Sequence, residues 1–468
     1  MTERVVVIGA DAAGMSAASQ ALRTAVTHGR SLEVVALERG HWTSYSACGI
    51  PYWVAGAVEG PDALVARTPA EHRANGIDVR LLTEAVRLDV DGRTVGYVDR
   101  KTGAEGTLEF DQVVIATGAR PIRPDVPGVD AIGVHGVQTL DDGAALLHHL
   151  TARRTRRAVI VGGGYIGIEM AEAMVVRGLD VTLIDRAAEP MSTLDPDLGS
   201  QVHAAMEAMG IDVETGTPVE AFEVGADGAV RGVVASSGKT YPADTVVLGI
   251  GVEPATALAE AAGLPVGEFG GLRVDDHQRV PGHDCVWAAG DCVESHDRIA
   301  KTWTYTPLGT HANKQGRVLG TNLGGGDAAF PGVVRTAISK VCNLEVARTG
   351  LREADARRAG LRYVAATIES TTRAGYFPAT KPITVKVIAE DPSGRLLGAQ
   401  LVGREGSAKR IDGLALALWN EMTAAELSMV DLAYAPPFSP VWDPILIAAR
   451  KIAEELHSRS LDPGRVGA

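Results

Sequence analysis

Two stretches of the chain carry the same alternation of apolar runs, small-residue turns and amphipathic segments. Near the start, Val5-Val6-Val7-Ile8 gives way to Gly9-Ala10-Asp11-Ala12-Ala13-Gly14, then to an Ala-rich run reaching Leu22, then to a second apolar run from Leu32 to Leu37 closed by Glu38. The order returns at Ala158-Val159-Ile160-Val161, Gly162-Gly163-Gly164-Tyr165-Ile166-Gly167, a helical run through Met174, a stop at Gly178, and Val181 to Ile184 closed by Asp185. Short unbroken apolar runs predict strands buried on both faces, and the amphipathic runs between them predict helices. Each stretch therefore reads as strand, tight turn, helix, strand, acid.

That order has a chemical meaning. A glycine turn feeding a helix presents backbone N–H groups and the positive end of the helix to a pyrophosphate, and the acid closing the next strand accepts ribose hydroxyls. Gly9, Ala13, Gly14 and Glu38 in the first unit, and Gly162, Gly164, Ile166, Gly167 and Asp185 in the second, are the candidate dinucleotide-binding residues. Two such units point to two bound dinucleotides. Asp11 stands where the middle glycine of the first turn belongs, and a carboxylate aimed at phosphate would repel it. Either Asp11 points away or the first turn binds its ligand unconventionally.

Further along, Phe110 to Ile115 predicts a buried strand ending at Ala116-Thr117-Gly118, followed by the proline-rich Pro121 to Pro127. A related pattern at Thr245 to Gly251, and another from Cys285 to Asp291, predict a return to the first sheet. The layout expected is α/β, with two nested doubly wound dinucleotide-binding domains: residues 1–119 and 245–325 form the first and 120–244 the second. Pro307 to Arg317 reads as a helix packed against the first ligand. From 326 to 455 the pattern changes to strands at Val364 to Ser370, Ile383 to Ile388 and Leu396 to Val402, followed by helices at Ile411 to Trp419 and Ala424 to Met429. Grouped strands and helices predict an α+β third domain. Residues 456–468 are polar, poorly patterned and expected to fray.

Composition narrows the partners. The 468 residues carry 45 Lys and Arg against 58 Asp and Glu, a net charge of -13 that argues against nucleic acid and anionic membranes. Apolar stretches fall short of the roughly 20 residues that cross a bilayer. The N-terminus enters a strand with no signal peptide pattern, and four scattered cysteines make no disulfide framework, so a reducing cytoplasm is the expected setting. Cys285, Cys292 and Cys342 read as structural, with Cys342 in a strand-like stretch, and no histidine spacing suggests a metal site.

With both turns, Ala116-Thr117-Gly118, Ala289-Gly290-Asp291 and a lone cysteine ten residues after Glu38, the chain resembles the flavin-dependent pyridine nucleotide-disulfide oxidoreductases over residues 3 to 452. The resemblance implies FAD in the first unit, with Glu38 and Arg39 at its adenosine end, Asp291 on the ribityl chain, and Ser46, Ala116, Thr117, Gly118 and Pro307 around it. It implies NADH or NADPH in the second unit, with Tyr165 and Glu169 near the rings and Gly251 closing the site. The third domain would make a homodimer. Ser44-Tyr45-Ser46-Ala47-Cys48-Gly49-Ile50-Pro51-Tyr52 is similar to the single-cysteine branch, because Thr43 occupies the place of a second cysteine five positions earlier. That branch holds coenzyme A disulfide reductases, NADH oxidases and NADH peroxidases; the last two place a histidine where Ala12 stands, so the resemblance favours disulfide reduction. Tyr434 and Tyr376 match tyrosines that approach the cysteine of the other subunit, while Arg23 and Ser44 are candidates for holding coenzyme A disulfide.

The chemistry implied is a hydride passing from the nicotinamide to flavin N5 and on to the Cys48 sulfur, which attacks a small disulfide or polysulfide. Cys48 precedes what reads as the first turn of a helix with Pro51 in it, an arrangement expected to lower its pKa. Asp185 favours NADH and Arg186 leaves NADPH open. An oxidase using a Cys48 sulfenic acid, and a redox-sensing flavoprotein with little turnover, are the competing readings.

Overall fold

The computed structural model describes residues 2–461. Its first sheet is wholly parallel, in the order Val286–Ala288, Gln112–Ile115, Thr2–Ile8, Ser31–Leu37, Ile77–Arg80. Val5, Val6 and Val7 are buried on both faces, which is why they form an unbroken apolar run rather than an alternating one. The helix Ala12–Thr27 follows the first strand and is covered by the helix Gly309–Leu323. The two approach closely because Gly316 and Gly320 face the backbone of the first helix: a Cβ at either would lie 2.3 Å from the carbonyl oxygen of Ala13 or Ala17.

The second sheet repeats the plan, in the order Ile211–Glu214, Asp180–Ile184, Arg157–Val161, Thr245–Leu248, Val134–Gly136, again parallel. One expected boundary is thereby corrected. Thr245–Leu248 does not open the return to the first domain but pairs with Ala158–Val161, occupying in the second sheet the place that Gln112–Ile115 has in the first. The return begins at Val252–Pro254, which pairs antiparallel with Ala119–Pro121, so the outgoing and incoming crossovers are hydrogen-bonded to each other.

The third domain is an antiparallel sheet, in the order Ala337–Val341, Leu344–Gly350, Leu396–Gly403, Pro382–Glu390, Tyr363–Thr371, backed by Ile411–Trp419 and Pro444–Leu461. Of the first two strands, the sequence reading marks only a strand-like stretch at Cys342. Cys342 is accordingly in the hairpin turn between them, at φ 52°, rather than in a strand. The helix runs on to Leu461, where fraying was expected from 456, because Arg459 pairs with Glu455 one turn back and reaches Asp391. Residues 462–468 lie outside the described part.

A buried ion cluster joins the second and third domains. The Lys386 side chain is 5% exposed, and its ammonium lies 3.2 Å from Asp195, 2.9 Å from Asp197 and 2.6 Å from Glu353. Gln400 completes the cluster, accepting from Asp195 N–H and donating to the Asp195 carboxylate. Burial alone would lower the Lys386 pKa, but the hydrogen bonds to Glu353 and Asp197 and the charge of Asp195 outweigh it and hold the amine charged.

Candidate active site

The two glycine turns, the cysteine segment and the first hairpin of the third domain open onto one cleft of about 3110 Å³. This is several times the roughly 300–1,000 Å³ of a site for one drug-sized ligand. Both helices that start at the turns lack a side-chain cap, at Asp11 and at Gly164, leaving their first N–H groups without side-chain acceptors. The closing acids behave alike: Glu38 accepts from Ala10 N–H at 2.9 Å, and Asp185 from Gly163 N–H at 2.6 Å and Ala187 N–H at 2.8 Å. Two uncapped helix ends, each with a carboxylate anchored beside the turn, suit two dinucleotides.

Gly14 and Gly167 do not line the cleft; they shape it. A Cβ on Gly14 would sit 2.0 Å from the Gly9 carbonyl oxygen, and one on Gly167 1.9 Å from that of Gly162. Gly9, Ala13, Glu38, Arg39, Ser46, Ala116, Thr117, Gly118, Asp291 and Pro307 line the cleft on the first domain's side. Gly162, Gly164, Tyr165, Ile166, Glu169, Asp185 and Gly251 line it on the second's, with Arg186 beside Asp185.

Asp11 resolves the difficulty raised by its position. Its carboxylate accepts from Tyr45 N–H at 3.2 Å, tying the phosphate-type turn to the segment that leads to Cys48. Thr43 adds a second tie, donating to the Ala10 carbonyl oxygen. Burial, reinforced by the charges of Glu38 and Asp291, pushes the Asp11 carboxyl up to about 6. Asp291 is likewise raised to about 6, by burial alone.

The raised Asp291 has a consequence for the flavin-free protein. Its ionised form is disfavoured in the fold relative to the ordinary 3.8, so its cost is present above about pH 6 and is relieved as the pH falls toward 4. Asp291→Asn should therefore stabilise the apoprotein by about 2–3 kcal/mol near pH 7.5, with the advantage shrinking toward pH 4. Urea melts across that range check it, and an advantage that grew on acidification would contradict the assignment.

Cys48 is the one exposed thiol among the four cysteines. It lies in a short turn, Ala47–Gly49, just before the six-residue helix Ile50–Ala55. The expected depression of its pKa is not what the protein provides. Burial raises it, the Glu169 carboxylate raises it further, and Asp291 adds to both, against a weaker contribution from its own backbone N–H. The helix is too short and two acids too near for its N-terminus to prevail.

Ser44 sits at φ 50° with its hydroxyl 2.9 Å from Nε2 of buried His72, beneath the cysteine segment and outside the cleft lining. Arg23 also lies away from the cleft: it is exposed near the C-terminal end of the first helix and donates to Gln20. Tyr376 and Tyr434 are 78% and 46% exposed and stand outside this protomer's cleft, as do exposed Phe438, Val441 and Trp442. Lys314 and Arg317, on the helix expected to pack against the first ligand, line the cleft, and so do Tyr52, Tyr305, Ser339 and Lys340, which sequence reasoning did not assign to the site. Of these four, Tyr52 carries a local signal, standing one helical turn beyond Cys48. Among the described residues, Asp275, Asp276 and His277 bring ligand-type atoms together on the surface, where His277 is paired with Asp276 and Asp327.

Residues 3–316 match the pyridine nucleotide-disulphide oxidoreductase family, and residues 336–444 match that family's dimerisation domain. The chain belongs to this family. It is 35% identical over 461 residues to the NAD(P)H coenzyme A polysulfide/persulfide reductase of Pyrococcus horikoshii, covering 96% of this chain and 98% of the relative. It is 36% identical over 462 residues to an NADH oxidase of Methanocaldococcus jannaschii, covering 97% and 100%. Among solved structures, the NAD-dependent persulfide reductase from A. fulgidus superposes with a TM-score of 0.92 at 37% identity, covering 97% of this chain and 84% of that one. As a member of the family the protein is an FAD-dependent NAD(P)H oxidoreductase with a dimerisation domain, and no described helix is long and apolar enough to cross a membrane.

Proposed function

We propose that the protein reduces a small disulfide or polysulfide, coenzyme A disulfide or a coenzyme A persulfide, with Cys48 as the attacking sulfur. The observation that supports this most is a single exposed thiol in the cleft shared by both dinucleotide turns, with Thr43 where a resolving cysteine would stand. Without a neighbour to pair with, the Cys48 thiolate must attack an external sulfur, forming a mixed disulfide and releasing one thiol or a shortened polysulfide.

When bound, FAD and NAD(P)H would supply the electron pair needed to reduce the mixed disulfide on Cys48, which would leave Cys48 as a thiol and release the second thiol. Glu38 and the uncapped Ala12–Thr27 helix would hold the FAD, and Asp185 and the Tyr165–Val176 helix the nicotinamide nucleotide. Asp185 disfavours a 2'-phosphate and neighbouring Arg186 favours one, so both nucleotides are proposed donors with NADH preferred. Lys314 and Arg317 give the cleft cations suited to the phosphates of coenzyme A. Tyr434 and Tyr376 would serve the cleft of a second subunit across a homodimer interface, in a cytoplasmic enzyme.

Anaerobic oxidation of NADH and NADPH, with coenzyme A disulfide or polysulfide as acceptor, is the test. Acceptor-dependent turnover with a lower KM for NADH is expected; nucleotide oxidation in air that needs no sulfur acceptor would instead establish the oxidase reading, to which the NADH oxidase relative lends weight and Ala12 does not.

A further inference from the structure

Three groups from the first hairpin of the dimerisation domain converge on two acids of the nicotinamide-side helix. The Ser339 hydroxyl donates to Glu169 at 2.8 Å, the Lys340 ammonium pairs with Glu172 at 2.5 Å, and Cys342 N–H donates to the other Glu172 oxygen at 2.9 Å. Glu169 and Glu172 are one turn apart on Tyr165–Val176 and so face the hairpin together. Glu169 also faces Cys48 across the cleft, and both line it.

We propose that Ser339 is a positioning residue which, by holding Glu169 as an anchored carboxylate, restrains the nucleophilicity of Cys48. The dimerisation domain thus reaches the redox sulfur through one hydrogen bond to an acid of another domain. The charges around Glu169 favour this role. Burial and Glu172 both work against its ionisation, Lys340 is committed to Glu172, and Ser339 is the group that offsets them. The groups of this subunit facing Cys48 are Glu169, Asp291 and Tyr52; Ser339 hydrogen-bonds Glu169 and neither of the others, so Glu169 is the one whose charge it can tune. Loss of the hydroxyl leaves Glu169 more readily protonated, which removes the charge that opposes a thiolate.

The inference rests on Cys48 being the reactive thiol but not on the identity of any acceptor. The experiment is the pH profile of iodoacetamide alkylation of the reduced, FAD-loaded enzyme, with Cys48→Ser as the blank. Ser339→Ala and Glu169→Gln should both alkylate roughly two- to fivefold faster near neutral pH, with midpoints moved to lower pH. Ser339→Thr should behave as wild type, and the double variant should be no faster than Glu169→Gln alone. The pair Ser339→Thr and Ser339→Val repeats the comparison at equal size on the same edge strand. A Ser339→Ala profile superimposable on wild type, an unshifted Glu169→Gln, or a Ser339→Ala effect that persists in the Glu169→Gln background would each overturn the proposal. Failure to reduce any disulfide would overturn the functional reading and leave these profiles standing.

Discussion

Cys48→Ser should abolish sulfur-acceptor turnover, by on the order of 10³-fold or more, while flavin reduction by nucleotide survives. The separation follows from position. Cys48 contributes neither to the sheets nor to the glycine turns, and its turn at Ala47–Gly49 is pinned from either side by groups other than its sulfur: Tyr45 N–H on Asp11 before it, and the apolar seating of Ile50 and Trp53 after it. A serine there fits the same space and cannot attack a disulfide sulfur at a useful rate. Stopped-flow reduction of the flavin, together with steady-state turnover, distinguishes the outcomes. Retained turnover would remove Cys48 from the chemistry, whereas loss of both reactions would mean that the substitution had damaged the cleft itself.

The second large effect lies far from the sulfur. Lys386→Ala should destabilise the protein by roughly 3–5 kcal/mol, because it leaves Asp195 and Glu353 gathered around a charge that is no longer there. The cost arises from stranded carboxylates rather than from a lost attraction, so pairing Lys386→Met with Asp195→Asn should recover part of it. Urea unfolding measures both. The same variants should raise KM for the nicotinamide nucleotide more than they change FAD affinity, since the cluster ties the second domain, and not the first, to the interface sheet. A Lys386→Ala enzyme as stable as wild type would mean that water satisfies these acids.

How much of this was legible beforehand depends on how local the signal is. The two turns were, because a strand, a glycine turn, a helix and an acid are all written within about 30 residues. So was the isolation of Cys48, which follows from Thr43. The domain boundary near 245 was misplaced because the apolar run Thr245–Leu248 declares a buried strand but not which sheet receives it. The thiol pKa was misjudged for a related reason. Pro51 announces a helix start in the local sequence, whereas Glu169, which opposes it, belongs to another domain and is brought near only by the fold. Ser339 was invisible for the same cause, and Arg23 reads as an entrance cation from its charge and its place near the end of the first helix, where it faces outward. Asp11 was flagged as a misfit, and the fold gives the reason: it holds the chain leading to the sulfur.

The interleaving of the two parallel sheets also sets an order of assembly during synthesis. Every strand of the second sheet lies between Val134 and Leu248, so that unit is contiguous once its last strand has left the ribosome. The first sheet must wait for Val286–Ala288, and its leading helix for the glycine face of Gly309–Leu323. The later domain in sequence terms is thus the earlier one to close, and the N-terminal strands spend that interval with an unfilled edge, Gln112–Ile115 lacking its outer neighbour. Flavin, whose turn is the first thing translated, would be among the last things the nascent chain is able to grip.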